Sequence, residues 1–295
     1  MKKLSVYVLV LIAALLLVSC ELTGTAPSKG TLHVVAIGDN FTNHPGVNPL
    51  LSCENDATAA CQVFEFWGKM SGMKTDIHNC NGNYFQGFEL ELDKVINSSA
   101  NNDLTILFLS SHGNNQVQYI VPYSSSNSDN EGVILETGPT DLRLLTREYF
   151  NSVADLIKGK VLIIADSCFS GAMIQQDYFT YNSENYTGSG SLRLFFDSTP
   201  ATDSNRVFFL SASTYYQEAQ AGYPLSMFTR VLLSSLGLTA FDSVTGEATV
   251  TSAAPVLKGK KIILSDILRY VYERTANVQV PQMNTGANDL ILFSL

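Results

Sequence analysis

The chain has 295 residues, 45% of them hydrophobic, and carries 27 acidic side chains against 18 lysines and arginines, a formal net charge of −9. So acidic a composition repels phosphate backbones, and no basic patch interleaved with aromatics occurs, which argues against a nucleic-acid partner. The stretch from residue 31 to 295 is long enough to bury one sizeable core, so a single large α/β domain is expected there.

The first element is a leader. Lys2 and Lys3 precede a mostly apolar run from Val6 to Val18, followed by Ser19 and Cys20. A charged start, a short apolar stretch and a small residue before the cut suit export, and about a dozen apolar residues are too few for a comfortable membrane span. The Leu17-Val18-Ser19-Cys20 end resembles a bacterial lipobox. That resemblance implies that residues 1–19 are removed and that Cys20 is lipidated as the first mature residue. Removing residues 1–19 leaves 16 basic groups against 27 acidic ones. Glu21–Gly30 is rich in Thr, Ser, Pro and Gly and reads as a tether, which holds the domain within roughly 20 Å of the lipid. The expected location is the cell envelope, with the domain membrane-anchored and facing the periplasm or the exterior.

Beyond the tether, β-branched apolar runs alternate with helical periodicity, the pattern of a mostly parallel sheet covered by helices. The spacing predicts strands at Leu32–Gly38, Lys74–His78, Leu104–Leu109, Val161–Ala165, Val207–Ala212 and Leu290–Phe293. Helices are predicted at Asp56–Met70, Phe88–Asn97, Arg147–Ile157, Leu225–Leu236 and Ser265–Thr275, the last with Ser265 as its N-cap. A surface hairpin is expected within Gln116–Thr137, pairing Gln118–Val121 with Val133–Leu135. Asp177–Asn205 lacks any period, and a loop of that length inside a compact domain is functional or disordered. No internal repeat occurs.

Two strand ends carry chemistry. Leu104 to Leu109 runs into Ser110-Ser111-His112-Gly113, and Val161 to Ala165 runs into Asp166-Ser167-Cys168-Phe169-Ser170-Gly171. In an open parallel sheet, ligands bind beyond the carboxyl ends of the strands, so neighbouring strands would bring His112 and Cys168 to one edge. A thiol is mostly protonated near neutrality, and an adjacent imidazole can take its proton, freeing a thiolate to attack a carbonyl carbon. The N–H groups of Gly113 and Cys168 would then receive the oxyanion. Taken singly, a histidine at a strand end is more often structural and a cysteine more often core. It is their joint placement that points to catalysis.

Together, Ser-Ser-His-Gly and Asp-Ser-Cys-Phe-Ser-Gly resemble the caspase and metacaspase group of cysteine peptidases. His112 lies 56 residues upstream of Cys168, close to the roughly 50 expected of a caspase-type histidine. Val35-Ala-Ile-Gly-Asp-Asn-Phe41, Asn55-Asp56-Ala57, Val207 to Ser213, Met227-Phe228-Thr229 and Val280-Pro-Gln282 are similar to further landmarks of the group, in order along the chain. Asp-Ser-Cys rather than Gln-Ala-Cys sets the chain with metacaspases and bacterial caspase-like proteins. Ser226 stands where the group usually has glycine, and Ala221 where it has glutamate.

The resemblance implies a three-layer sandwich around a mostly parallel six-stranded sheet, a Cys–His dyad hydrolysing peptide bonds, and Asp166 lining a pocket that selects Arg or Lys before the scissile bond. The plainer reading of Asp166 is a carboxylate that caps a nearby turn. Arg193 lies within the long loop and Arg206 directly follows it, and either one is a candidate site of self-cleavage. The alternatives are a catalytically inactive caspase-like lipoprotein that holds a peptide, or a clostripain-like peptidase or transpeptidase. The partners implied are a peptide or protein substrate and, through the lipid, a membrane.

No cofactor is implied. His33, His44 and His78 lack metal-ligand spacing, there is no His-Glu-x-x-His, and the absence of Gly-x-Ser-x-Gly argues against a serine hydrolase. Cys53, Cys61 and Cys80 permit at most one disulfide, Cys61–Cys80 or Cys53–Cys80, with free buried thiols the other possibility.

Overall fold

The computed structural model describes residues 29–42, 44–114, 132–174, 206–214, 216–284 and 290–295. The expected leader, the expected lipidation at Cys20, the expected tether up to residue 28, the expected Gln118–Val121 strand and Arg193 lie outside the described residues.

In chain order the strands are β1 (Thr31–Gly38), β2 (Lys74–Asn79), β3 (Leu104–Ser110), β4 (Gly113–Asn114), β5 (Gly132–Glu136), β6 (Leu142–Leu145), β7 (Lys160–Asp166), β8 (Val207–Ser211), β9 (Leu238–Asp242), β10 (Glu247–Val250), β11 (Lys261–Ile263), β12 (Gln282–Met283) and β13 (Ile291–Ser294). The helices are α1 (Cys53–Met70), α2 (Tyr84–Ser98), α3 (Arg147–Leu156), α4 (Met227–Ser235) and α5 (Leu264–Thr275), with a short 3-10 turn at Ser170–Met173.

Six strands form the main sheet in the order β12-β8-β7-β3-β1-β2, all parallel except the antiparallel edge strand β12. Strand β3 is buried along its whole length, as a central parallel strand covered on both faces must be. Alternation then divides its side chains between two cores. Ile106 and Phe108 face α1, α4 and α5, where Phe64, Trp67, Phe228 and Ile267 pack. Leu107 and Leu109 face α2 and α3, where Phe88, Leu92 and Phe150 pack. The result is the expected three-layer sandwich. No described helix is long and apolar enough to cross a membrane.

Two expectations are corrected. The C-terminal strand does not join the main sheet: β13 pairs antiparallel with β11, and the sixth place goes to β12, whose two residues are too short to show any period. Ser265 is not an N-cap. Helix α5 starts one residue earlier, with Ile263 in extended conformation at its cap, because the chain passes straight from the β11–β13 pairing into the helix. Strand β5 finds its partners in β4 and β6.

Candidate active site

Strands β3 and β7 are neighbours in parallel register from Leu104 opposite Lys160 to Ser110 opposite Asp166. The Ser111 N–H donates to the Asp166 carbonyl at 3.1 Å, which extends the register past the sheet edge. His112 and Cys168 therefore leave the sheet side by side, each two residues beyond a paired position. Gly113 lies against the backbone of Cys168, where a Cβ would fall 1.7 Å from the Cys168 carbonyl oxygen. Only glycine permits this approach, which lays the Gly113 backbone on the Cys168 turn.

His112 is partly exposed and its Nε2 lies 2.7 Å from the backbone carbonyl of Asn48. A carbonyl only accepts, so this bond assigns the proton to Nε2 in the neutral ring and leaves Nδ1 with the lone pair. The Phe41 ring packs on the imidazole with centroids 5.0 Å apart and planes 60° to each other. Phe41 itself has φ of +52°, a left-handed conformation that a bulky side chain rarely adopts. Asp39 holds that turn by accepting from the Phe41 N–H at 3.2 Å, and its other oxygen accepts from the Glu136 N–H at 2.6 Å. Burial raises the Asp39 carboxyl despite these bonds.

Cys168 sits where the chain turns sharply out of β7. Phe169 follows with φ of +58°, and the 3-10 turn starts at the next residue. The Phe169 N–H is held by the Gln217 carbonyl at 2.9 Å, and the Cys168 sulfur faces the Ala219 carbonyl at 3.9 Å. Both carbonyls belong to the loop after β8. That loop is fastened by two glutamines: Gln279 donates to the Ala212 carbonyl and accepts from the Gln220 N–H, while Gln217 accepts from the Val280 N–H. The thiol is raised above its ordinary value, chiefly by burial, so it rests as a thiol that needs a base.

Asp166 points away from solvent, beneath the carboxyl edge of the sheet. Its Oδ2 accepts from the Ser226 hydroxyl, from the Thr229 hydroxyl at 2.6 Å and from the Thr229 N–H at 3.2 Å. A second carboxylate, Asp56 in the first turn of α1, is equally buried. It accepts from the Ser226 N–H at 2.9 Å and from the Ser110 hydroxyl at 2.8 Å. Ser226 thus touches both acids. Among the described residues no Lys, Arg or His side chain forms an ion pair with either one. Burial, and next the charge of Asp166, pushes Asp56 well above the usual carboxylate range, and burial likewise raises Asp166. Two such carboxylates without a cation are costly, and a guanidinium would relieve them.

No protein-family model and no curated protein matches the chain. Solved structures do. A crystal structure of a Geobacter sulfurreducens protein aligns with a TM-score of 0.54 over 86% of this chain and 92% of that one, at 17% identity. Caspase-1 from Spodoptera frugiperda aligns with a TM-score of 0.51 over 90% of each chain, at 10% identity.

The fold is caspase-like. At such identities the caspase-like fold is what the likeness establishes, and the residues at its sheet edge must argue their chemistry from their own geometry.

Two contributors lay beyond sequence reasoning. The Asn48 contact is made by a backbone carbonyl, which leaves no residue signature. Asp56 is 110 positions from Asp166, and only the packing of α1 against the sheet joins them. Of the remaining candidates, Arg206 spends its guanidinium on the end of α3, donating to the Ala154 carbonyl at 2.9 Å and the Gly159 carbonyl at 3.2 Å. Cys53, Cys61 and Cys80 are free buried thiols. His33 is bound between Asp76 and Asp103, and His78 contacts Glu91, so both are engaged in the sheet edge.

Proposed function

We propose that the chain is a cysteine-type endopeptidase in which Cys168 is the nucleophile and His112 the general base and acid. The observation that carries this reading is the Asn48–His112 bond beside the Cys168 turn, because it orients the imidazole with one nitrogen free to take a proton. The proton passes from the thiol to Nδ1, and the thiolate adds to the scissile carbonyl. The N–H groups of Gly113 and Cys168 receive the oxyanion, each worth roughly 3 kcal/mol of barrier. Collapse expels the amine, which takes the proton from His112 and leaves a thioester on Cys168. Water, deprotonated by His112, then hydrolyses the thioester and restores the thiol.

The paired carboxylates Asp56 and Asp166 support a preference for Arg or Lys before the cleaved bond, since a planar guanidinium can bridge two acids. The lipid anchor at Cys20 belongs to the same proposal. The tether enters at the amino end of β1, whereas the catalytic residues lie at the carboxyl ends of β3 and β7. By the rise of an eight-residue strand, the two ends of the sheet are roughly 25 Å apart.

The test is cleavage of arginine-containing peptides by the full chain in detergent. Cys168→Ala and His112→Ala are each expected to lose at least about a thousandfold in turnover. Unchanged turnover in Cys168→Ala would remove the reading. An arginine chloromethylketone that labels Cys168 in wild type, but not in His112→Ala, separates an enzyme from a peptide-holding module.

A further inference from the structure

Ser226 bonds to both members of the acid pair. Its hydroxyl donates to Asp166 and its N–H donates to Asp56, so one residue supplies a donor to each carboxylate, as the two arms of a guanidinium would. It is also the N-cap of α4, where its oxygen accepts from the Thr229 N–H at 3.2 Å while that N–H is shared with Asp166. Ser226, Thr229, Asp56 and Asp166 are all buried. The segment leading into Ser226 is held on its outer side: the Pro224 carbonyl accepts from the Asn55 amide at 3.0 Å, and the Tyr223 hydroxyl donates to Ser243 at 3.0 Å.

We propose that Ser226 gates the specificity pocket, closing it at rest by capping Asp166 and Asp56 and withdrawing only when a guanidinium or ammonium displaces it. This rests on the acid pair being the pocket for a basic residue, as argued above. The exchange balances without a co-reactant: the serine hydroxyl and amide leave the two carboxylates, and the N–H donors of the cation replace them. The gate makes the enzyme discriminate twice. A basic side chain is favoured by the acids, and weakly bound cations are refused because they must first break the serine's bonds. The pocket therefore takes only cations presented on a peptide that the cleft already holds.

The experiment compares wild type with Ser226→Gly, which keeps the amide bond to Asp56 but removes the hydroxyl from Asp166. Glycine is tolerated at an N-cap at little cost, so the fold is expected to persist. Agmatine, a free guanidinium that is not a substrate, is titrated calorimetrically into the full chain, and kcat/KM is measured for matched arginine and citrulline peptides. Agmatine affinity and kcat/KM for the arginine peptide should both rise about tenfold in Ser226→Gly, with the citrulline peptide unmoved and Ser226→Thr resembling wild type. Equal agmatine affinity in wild type and Ser226→Gly would overturn the gate. Asp166→Asn in the Ser226→Gly background separates the two levels: agmatine binding that is indifferent to Asp166 defeats the pocket itself, whereas binding that needs Asp166 but is no tighter without the hydroxyl defeats only the gate. Should Ser226→Gly melt early, Ser226→Cys, which keeps the side-chain size and replaces the hydroxyl by a weaker donor, carries the same comparison.

Discussion

Gly113 rests against the carbonyl of Cys168 so closely that the smallest side chain would fall 1.7 Å from that oxygen. The obstruction is backbone, which cannot rotate aside. Gly113→Ala must therefore push β4 away from the Cys168 turn, at a cost of about 1–3 kcal/mol. The expected outcome is a lower melting temperature together with loss of turnover. A fully active Gly113→Ala protein would show that the two backbones are not held together in solution.

The Cys168 thiol is raised by burial, which sets the pH dependence of its reactivity. Alkylation by iodoacetamide should keep climbing with pH past about 9, the ordinary range for a thiol, with no plateau near neutrality. A plateau between about pH 6 and 7 would instead reveal a preformed thiolate–imidazolium pair, for which a depressed thiol is the signature.

Glu136 is pushed up to about 7, first by burial and then by the charge of Asp39. Its folded-state pKa exceeds the unfolded one, so the folded chain binds the extra proton. The associated stability is fully present below about pH 4.5, near the ordinary glutamate value, and is lost as pH rises through about 7. Glu136→Gln should flatten the dependence of melting temperature on pH across that window. The effect is small, because the side chain is partly solvated and salt screens it. A mutant curve parallel to wild type would remove the Asp39–Glu136 coupling from the account.

Gln279 is fully buried and bonded at both ends of its amide, to Ala212 and to Gln220. Gln279→Leu strips the support from the loop that holds Phe169 and faces the Cys168 sulfur, and leaves a carbonyl and an N–H without partners. The expected cost is about 1–3 kcal/mol, with turnover falling more than the affinity for substrate, since the loss acts on the position of Cys168. Intact kcat with only a lower melting temperature would limit Gln279 to stability.

The central strands, the covering helices and the two chemical strand ends were all legible in the sequence. Buried parallel strands need unbroken apolar runs, amphipathic helices need a 3.6-residue period, and both signals are local. Local signals fail where an element is too short to repeat, as in β12, or where a neighbouring strand fixes the entry of the chain, as Ile263 does for α5.

What the sequence by itself determined was a histidine and a cysteine at the carboxyl ends of buried strands, with an aspartate two places before the thiol. Only the tertiary structure decided which strands are neighbours, which carbonyl orients the imidazole, and that Asp56 and Ser226 meet at Asp166. Those partners are 110 and 60 positions from Asp166 along the chain. Burial and hydrogen bonding act through space, and no period along a chain records a contact that depends on how whole layers pack.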